Sequence, residues 1–535
     1  MKKDLGLWFK LFAFRFLVAL CTFSAGHPDE LWQFHEPAHV AVFGRGHLAW
    51  DWRARIRSYV YPLPLIFAFQ FAKSLRNLLG YNSKLGFAVE DFIVQAAPYF
   101  IRAFWASTTD LYTVKLGRKF FGPLSEKWAL LLTLINPAQA DIGTRALSNS
   151  VETALCAVVA YIWPRNRREW SVKKWISALK VLGLTCLIRI SAIQMFLPAS
   201  LFLFLYVPNP LEIILTTIPI MAAVMALGIT IDSYFYGELT VSWWNFFDWN
   251  VVQNISSFFG VEPFYFYFKT LWKVLLTTAA PFTIFGLFKS ITSWKSVFPF
   301  FMFVLPYFIF SSLQPHKEDR FLLPILPLLL SYAAHGGQQL EVILHKQSIY
   351  FKYSLKFLLM AMVVYNSWDI LKMVSFTAVG PWNAIHDLRN RVKRIEFLPV
   401  EPHPKGIFLL ANCHNFPHYG VFHYNYPLVF IPCPPPVVHR FFKADPDFDL
   451  NNGLAAFYYS GMIRETLEFY ISRADGVPPA FIAIAGYNYL VRPDEFSKLG
   501  YSQCGRHVNY ILDAFQGRDS SINDIYILCH VLIKQ

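Results

Sequence analysis

Ile213-Ile-Leu-Thr-Thr-Ile-Pro-Ile-Met-Ala-Ala-Val-Met-Ala-Leu-Gly-Ile-Thr-Ile231 contains no Asp, Glu, Lys or Arg. A helix needs about 20 mainly apolar residues to cross the hydrocarbon core of a bilayer, and this run has that length and character. The stretches 296–315 and 321–340 are equally free of these charged residues. The three runs together predict a polytopic α-helical membrane protein.

The composition of the whole chain agrees with this class. The protein has 535 residues, of which 55% are hydrophobic, 18% aromatic and only 16% charged, and the mean hydropathy is +0.36. Soluble domains carry about 25% charged residues, so the composition argues against a soluble protein and excludes a disordered one. The net charge of +13 comes largely from short basic clusters between apolar runs, such as 165–168 and 173–174. That pattern is typical of cytoplasmic loops, and we expect membrane lipid, not nucleic acid, around the chain.

Weaker apolar stretches raise the number of predicted membrane spans to about eleven. With Lys2 and Lys3 in the cytoplasm, every strong basic cluster falls on one face of the membrane. We interpret the apolar stretch 59–72 as an interfacial helix and not as a span. The weaker spans are 5–25, 91–112, 128–144, 146–163, 175–189, 190–206, 270–288 and 357–370, and the predicted far side holds 27–90, 232–269, 316–320 and everything after about 371.

The polar tail after residue 371 has the pattern of a small α/β domain. Four short apolar runs indicate strands, and the turn-forming prolines 434–436 lie among them. In an oxidising compartment the four tail cysteines allow up to two disulfides, whose pairing the sequence leaves open. The division is thus a transmembrane domain, 1–370, which includes a lumenal loop, 27–90, and a lumenal C-terminal domain, 371–535. The strand-like runs are Gly406–Leu410, Leu428–Ile431, Phe481–Ile484 and Ile525–Leu528, and the cysteines are Cys413, Cys433, Cys504 and Cys529.

Two adjacent carboxylates, Asp29 and Glu30, follow the first predicted span in the run His27-Pro28-Asp29-Glu30. One interpretation is a helix start, where proline is tolerated and acids are favoured by the helix dipole. The other is a general base that takes a proton from an acceptor hydroxyl while its neighbour orients the acceptor. The residues themselves leave both interpretations open.

Arginines lie among aromatic residues in the segment 50–62, which suits a helix in the headgroup layer and also a phosphate contact, with Arg57 as the candidate.

The run 316–320 consists entirely of ionisable residues. Because a charge at the centre of a spanning helix costs about 2.5 to 3.5 kcal/mol, this run predicts a short surface hairpin. It is either a snorkelling turn or a cationic cradle for a phosphate leaving group. In the cradle His316, Lys317 and Arg320 supply the cations and Glu318 orients them.

Two further acids lie at or near the ends of predicted spans. Asp232 opens an aromatic-rich loop, and Glu152 lies one turn after Asn149. Aromatic loops at a membrane surface are usually interface belts, and polar residues inside spans usually face the bundle. The alternative is that Asp232 and Glu152 line a cavity or contact an acceptor.

These motifs resemble glycosyltransferase family 22, the endoplasmic-reticulum mannosyltransferases of the GT-C superfamily that use dolichyl-phosphate mannose. The resemblance rests on His27–Glu30, the Trp-x-Trp-x-x-x-Ile-Arg-Ser-Tyr element ending at Tyr59, Asp232–Gly237 and His316–Phe321. His-Pro-Asp-Glu followed by Trp32-Gln33 is most similar to members that add the third, α1,2-linked mannose to the glycosylphosphatidylinositol (GPI) core. Two tail elements, Cys413-His414 and Cys433-Pro-Pro, resemble the same members.

The resemblance implies a GT-C bundle, Asp29 as catalytic base with Glu30 beside it, and the cations of 316–320 near the dolichyl phosphate. Transfer from a β-linked lipid phosphate to an α-mannoside inverts the anomeric centre, so one displacement suffices and no covalent nucleophile, metal or cofactor is expected. The donor would be dolichyl-phosphate mannose and the acceptor a GPI glycolipid. The enzyme would lie in the endoplasmic reticulum membrane, with acid and cations converging on one lumenal cavity.

Two alternatives remain. A member of the same family that extends the dolichol-linked N-glycan precursor would share the motifs. A transporter would also be apolar and polytopic, but it should show inverted repeats and broken helices at the midplane, and the sequence shows neither.

Overall fold

The computed structural model forms two compact units. The first unit consists of Met1–Cys21, Ala54–Pro64 and Pro98–Leu371, and the second of Thr22–Arg53, Leu65–Ala97 and Lys372–Gln535. The predicted domain boundary at 370/371 and the lumenal position of the tail stay predictions. The structure describes residues 2–24, 26–205, 207–345, 349–396, 403–411, 416–431, 462–474, 476–490, 493–509 and 521–533.

Within the residues that the structure describes, four helices are long and apolar enough to cross a membrane. They overlap the predicted spans 213–231, 270–288, 296–315 and 357–370, which are therefore confirmed as helices of spanning length. Proline and π-helical turns interrupt several of them, as neighbouring helices in a membrane bundle allow. The four helices are Pro210–Tyr236, Phe266–Ser290, Trp294–Leu313 and Tyr350–Phe376.

Six further predicted spans are also helical. The stretch 321–340 begins as a 3₁₀-helix, Asp319–Ile325, and continues as an α-helix. That all of these segments cross a membrane stays a prediction. The six helices are Lys2–Leu20, Lys84–Phe121, Ser148–Ile162, Val172–Ile188, Ile193–Leu203 and Leu326–His345.

The segment 128–144 departs from the prediction of one continuous span. It forms three short helices, Glu126–Leu134, Pro137–Ala140 and Ile142–Thr144. Asn136 accepts a hydrogen bond from the backbone N–H of Gln139 at 2.8 Å and so caps the second helix. Because proline at the first position of a helix lacks an N–H group to extend the preceding one, the Asn-Pro pair ends the span early.

Tight packing holds the first unit together. Trp163, Trp175 and Phe303 are almost fully buried in one large hydrophobic cluster. Gly286 and Gly336 lie where two helices touch, and a Cβ at either would overlap a carbonyl oxygen of the other helix. Small residues at such contacts allow membrane helices to approach closely.

The tail of the second unit contains a five-stranded sheet with the order β2-β1-β3-β5-β4. Strand β1 pairs in parallel with β2 and β3, whereas β5 pairs antiparallel with β3 and β4. Four strands confirm the predicted runs. The sequence analysis missed β4, since its side chains are largely exposed and show no apolar pattern. The strands are β1 Ile407–Leu410, β2 Leu428–Phe430, β3 Phe481–Ala485, β4 Tyr501–His507 and β5 Ile525–His530.

One disulfide joins the two neighbouring strands β4 and β5, between Cys504 and Cys529. It resolves one of the pairings that the sequence left open. Cys413, Cys433, His414 and the prolines 434–436 lie outside the described residues.

The remaining helices of the second unit lie in the first predicted loop and in the tail. The stretch 59–72, predicted as an interfacial helix, forms the helix Leu63–Leu78. Leu65 and Phe69 are buried on one side, and Phe67 and Phe71 are exposed on the other. The exposed Phe67 and Phe71 suit contact with lipid, and the interfacial position of the helix stays a prediction. The other α-helices of this unit that the structure describes are Pro28–Glu30, Glu36–Phe43, Trp50–Arg53, Gly380–Val392, Tyr419–Phe422, Ile463–Arg473, Gly486–Tyr489 and Pro493–Lys498.

Candidate functional site

The ionisable run of the first unit forms a short hairpin, with Glu318 between two cations. The carboxylate Oε1 lies 2.7 Å from Arg320 Nη2 and 3.2 Å from His316 Nε2. Burial alone would raise the pKa of Glu318, but the hydrogen bond from His316 and the charge of Arg320 outweigh burial and lower the pKa to about 2. Glu318 is therefore ionised and neutralises part of the cationic charge around it.

Both ring nitrogens of His316 face hydrogen-bond acceptors, which requires a proton on each nitrogen. Its Nδ1 lies 2.9 Å from the carbonyl oxygen of Gly260, which can only accept a hydrogen bond. Nδ1 must then donate, and Nε2 donates to ionised Glu318. The hydrogen bond with Glu318 is also the main reason that the pKa of His316 is raised.

Lys317 has a different position from the other two cations. Its ammonium group donates to the carbonyl oxygens of Gln314 at 2.5 Å and Glu262 at 2.7 Å. Lys317 is only 6% exposed, and burial lowers its pKa. Its contacts hold the hairpin against the chain near Glu262, and its contact with the donor phosphate stays a prediction.

Asp232 fixes the segment that carries Arg57. Its Oδ1 accepts hydrogen bonds from the backbone N–H of Tyr59 at 2.8 Å and from Ser58 Oγ at 3.0 Å. Its Oδ2 accepts from Ser242 Oγ at 2.6 Å. Because both carboxylate oxygens are engaged, Asp232 anchors these residues at the end of the helix Pro210–Tyr236.

A cleft lies beside this anchor within the first unit. Two arginines, Arg57 and Arg189, line it together with Asp232. The remaining wall is mostly apolar and includes Ile188, Ile229, Trp243 and Phe246, among others. The combination of guanidinium groups and an apolar wall suits an amphiphilic ligand with an anionic head.

Glu152 lies behind this cleft and not in its wall. It is fully buried, and its Oε2 lies 3.0 Å from Arg189 Nε. Ser191 Oγ donates to Glu152 Oε1 at 2.7 Å. Among the described residues, neither Glu152 nor Glu318 belongs to the lining of the cleft. Glu152 therefore orients Arg189, a residue that the sequence analysis missed because it ends an otherwise apolar helix without a motif around it.

Asp29 and Glu30 belong to the second unit, where they lie in a short helix, Pro28–Glu30, with proline at its first position. A π-helical turn, Leu31–His35, follows directly, and such turns are frequent at functional sites. Asp29 is half-buried and Glu30 is buried. That Asp29 shares a cavity with the hairpin residues stays a prediction.

Glu36 is the centre of a buried polar cluster that the sequence analysis did not single out. Its carboxylate accepts hydrogen bonds from the backbone N–H of Gly420 at 2.7 Å and of His47 at 2.8 Å, and from His418 Nδ1 at 2.9 Å. Burial opposes ionisation, but the charge and hydrogen bond of His418 lower the pKa of Glu36 overall. The cluster ties the first loop to the tail within the second unit.

A chain of hydrogen bonds beside the Glu36 cluster links His39, His423 and Glu90. His39 Nδ1 lies 2.7 Å from the carbonyl oxygen of Arg45, and His39 Nε2 lies 2.9 Å from His423 Nδ1. Burial lowers the pKa of His39 to about 4, so His39 is neutral and its Nε2 accepts. His423 then donates to His39, and its Nε2 lies 3.3 Å from the carboxylate of Glu90, which also pairs with Arg76 at 2.6 Å.

Within the described residues, no three His, Cys, Asp and Glu side chains are arranged to hold a metal ion. That the reaction needs no metal or cofactor stays a prediction from the sequence.

Most of the chain is similar to known proteins. The Alg9-like mannosyltransferase family matches residues 7–423. GPI mannosyltransferase 3 of Yarrowia lipolytica is 30% identical over 427 residues, which are 79% of this chain and 76% of that protein. GPI alpha-1,2-mannosyltransferase 3 of Homo sapiens is 26% identical over 410 residues, which are 76% and 68% of the two chains.

Solved structures show the same fold at low sequence identity. Apo ArnT from Cupriavidus metallidurans has a TM-score of 0.53 at 11% identity and covers 98% of both chains. The apo oligosaccharyltransferase of Archaeoglobus fulgidus has a TM-score of 0.51 at 11% identity, covering 95% of this chain and 75% of that one. The fold is thus of the GT-C type that the resemblance implied. The chain belongs to the Alg9-like mannosyltransferase family, glycosyltransferase family 22, in which its relatives include GPI mannosyltransferase 3.

Proposed function

We propose that the protein transfers the third, α1,2-linked mannose from dolichyl-phosphate mannose to the GPI anchor precursor, with inversion. The observation that carries this proposal is the similarity, over about three quarters of the chain, to relatives named GPI mannosyltransferase 3 and GPI alpha-1,2-mannosyltransferase 3. Those names state the acceptor pathway and the linkage of the relatives, which we extend to this chain.

The cleft of the first unit supports a lipid-phosphate donor. Arg57 and Arg189 offer planar N–H donors that match phosphate oxygens, and the apolar wall suits the first isoprene units. One ArnT structure with a TM-score of 0.52 is described as bound to undecaprenyl phosphate. We assign the dolichyl phosphate to the cleft, with Arg57 as its phosphate contact and Arg189 as a second one.

We assign the proton transfer to Asp29. The acceptor hydroxyl gives its proton to the Asp29 carboxylate, and its oxygen forms a bond to C1 of mannose as the C1–O bond to phosphate breaks. The electron pair of that bond leaves with dolichyl phosphate, whose charge cationic side chains stabilise. Glu30 orients the acceptor in this proposal.

We assign to His316 and Arg320 the stabilisation of the departing phosphate from outside the cleft, whose lining includes neither residue, and to Glu318 the task of holding these two cations in place. Lys317 contributes by fixing the hairpin, since backbone carbonyls engage its ammonium group. Asp232 contributes by fixing the backbone next to Arg57. The acid and the cations thus have separate tasks in one displacement, without a covalent intermediate.

The proposed location is the endoplasmic reticulum membrane, with a lumenal active site. The tail from 371 to 535 is a lumenal domain in this arrangement. This orientation requires that the three short helices between residues 126 and 144 together cross the membrane once, because only then do the basic clusters fall on one face.

The lipid intermediate that accumulates in cells without the protein tests the function. We expect a GPI lipid with two mannoses, and its disappearance when the wild-type chain is restored. A truncated dolichol-linked oligosaccharide instead would overturn the proposal in favour of the N-glycan alternative. Restoring the Asp29→Asn chain should leave the two-mannose lipid in place.

A further inference from the structure

The connection between two helices of spanning length carries an unusually apolar surface. Residues 237–265, which we call the interspan segment, join Pro210–Tyr236 to Phe266–Ser290. Val252 is 64% exposed, Phe258 is 55% exposed and Tyr265 is 69% exposed. The other large exposed apolar residues of the segment are Leu239, Trp244, Phe247, Val251, Phe259, Val261 and Phe264.

The segment is not a random apolar loop, because it has an inner and an outer side. Ser242, Trp249 and Ile255 are buried within the first unit, whereas Trp243 and Phe246 line the cleft. The outer side holds the exposed aromatic and aliphatic residues. Surface patches of this kind mark contacts with a membrane or with another protein.

The lengths of its helices exclude a membrane crossing by the segment itself. The helix Ser242–Phe247 has 6 residues, and the π-helical and 3₁₀ turns Asp248–Val252 and Ile255–Phe259 have 5 each. At about 1.5 Å per residue, none approaches the roughly 30 Å of a hydrocarbon core. Irregular backbone is also not tolerated in contact with lipid at that depth, so the segment suits the interfacial layer.

Continuity with the flanking helix favours lipid over a protein partner. Leu215, Ile218 and Leu227 are exposed along Pro210–Tyr236, which is the lipid-facing surface of a spanning helix. The apolar surface then continues from Tyr234 through Leu239 into the segment. The segment contains no Lys or Arg and three acids, and Trp, Tyr and Phe are the residues enriched in the interfacial layer.

We propose that the interspan segment lies in the interfacial layer of the bilayer, with its outer side in contact with phospholipid chains. A consequence concerns Asn254, the first residue of an Asn-Ile-Ser sequon. Its neighbours Val252 and Phe258 would be in lipid, whereas a glycan is bulky and hydrophilic and requires an aqueous surface. Asn254 is therefore not a glycan acceptor. This inference is independent of the donor and acceptor assigned above.

Photo-crosslinking in lipid vesicles tests the contact directly. Benzoylphenylalanine is placed at Phe258 of the full chain, which is reconstituted with radiolabelled phosphatidylcholine. Glu465, exposed on the helix Ile463–Arg473 of the tail, receives the same residue as the matched control. We expect light-dependent transfer of label at Phe258 and only background label at Glu465. Equal label at the two positions, or no lipid adduct at Phe258, would overturn the proposal.

The glycan is tested in microsomes. Endoglycosidase treatment is expected to leave the electrophoretic mobility of the wild-type chain unchanged, as it does for an Asn254→Gln variant. A mobility shift that is present in the wild-type chain and absent from the variant would show a glycan at Asn254, and so contradict an interfacial segment. Phe258 and Asn254 are both exposed. Neither benzoylphenylalanine at position 258 nor Asn254→Gln therefore removes buried packing.

Discussion

Arg189 Nε lies 3.0 Å from Oε2 of Glu152, a carboxylate with no exposed surface. The two residues are far apart in sequence, and only Arg189 reaches the cleft. Tyr307 also approaches Glu152, at 3.4 Å, and donates to the carbonyl oxygen of Phe321 at 3.0 Å. The ion pair therefore connects the cleft with the chain that follows the hairpin.

Replacing Glu152 with Ala is expected to destabilise the first unit by about 3 to 5 kcal/mol, because it leaves a largely buried guanidinium without its counter-charge. Thermal unfolding in detergent measures the loss. Glu126→Ala is the matched control in the same unit, since the side chain of its partner Arg118 is 55% exposed and the loss of this pair should cost no more than about 1 kcal/mol. Equal losses in the two variants would refute a special role for Glu152.

Replacing Asp29 with Asn should abolish mannose transfer while leaving the protein expressed and inserted. Loss of a general base lowers the rate by about 10²- to 10⁴-fold, which a transfer assay with dolichyl-phosphate mannose measures. Asp494→Asn, at an exposed acid of the tail, should retain the wild-type rate. Near-normal turnover of the Asp29 variant would remove it as the base.

The hairpin cations should divide into two classes. Arg320→Ala is expected to impair transfer, with KM for the lipid-phosphate donor or kcat changed and the fold retained. Lys317→Met should act through stability, since the buried ammonium is engaged by backbone carbonyls of Gln314 and Glu262. Donor-dependent kinetics and thermal unfolding of both variants separate the classes. A normal melting temperature for Lys317→Met with lost donor use would reverse the assignment.

Acidification should weaken the second unit through His39. Its pKa falls from 6.5 to about 4 on folding, so the unfolded chain binds the extra proton first as the pH drops. The stability from neutral His39 is complete above pH 6.5 and is lost as the pH falls towards 4. Each unit of pKa difference corresponds to about 1.4 kcal/mol of the free energy of unfolding. Acidification from pH 6.5 to below 4 should therefore lower the free energy of unfolding by on the order of 3 kcal/mol.

Thermal unfolding at several pH values between 7 and 4 measures this loss. The groups facing His39 are Glu36, His423 and Arg45. His39→Asn keeps a donor for the carbonyl of Arg45 without a titrating ring, and it should flatten the pH dependence. An unchanged slope in that variant would assign the effect to other groups.

Loss of the disulfide should destabilise the sheet of the tail. Cys504 and Cys529 close a loop of 25 residues, and removal of such a link typically costs about 2 to 4 kcal/mol. Cys504→Ser is expected to increase proteolysis of the tail, with Cys186→Ser as the control at an unpaired thiol. Equal protease resistance in the two variants would count against a stabilising role.

Much of the architecture was predictable because the free energies of membrane insertion and of strand burial depend mainly on the side chains of the segment itself. The apolar run 213–231 predicted a spanning helix without any knowledge of its neighbours, and the buried run 481–484 predicted a strand. The motifs likewise identified the family. Prediction failed at 128–144, where one Asn-Pro pair outweighs average hydropathy, and at β4, whose exposed polar residues have no burial pattern.

Tertiary structure alone decided which polar residues meet. Nothing near Arg189 in the sequence identifies Glu152 as its partner, and nothing near His39 points to His423. A side chain's charge and type are fixed by the sequence, but its partner depends on which distant segments the hydrophobic packing brings within about 3 Å, the range of a hydrogen bond. The sequence therefore determined the class, the family and the candidate residues, whereas packing determined which of them line a cleft and which hold another residue in place.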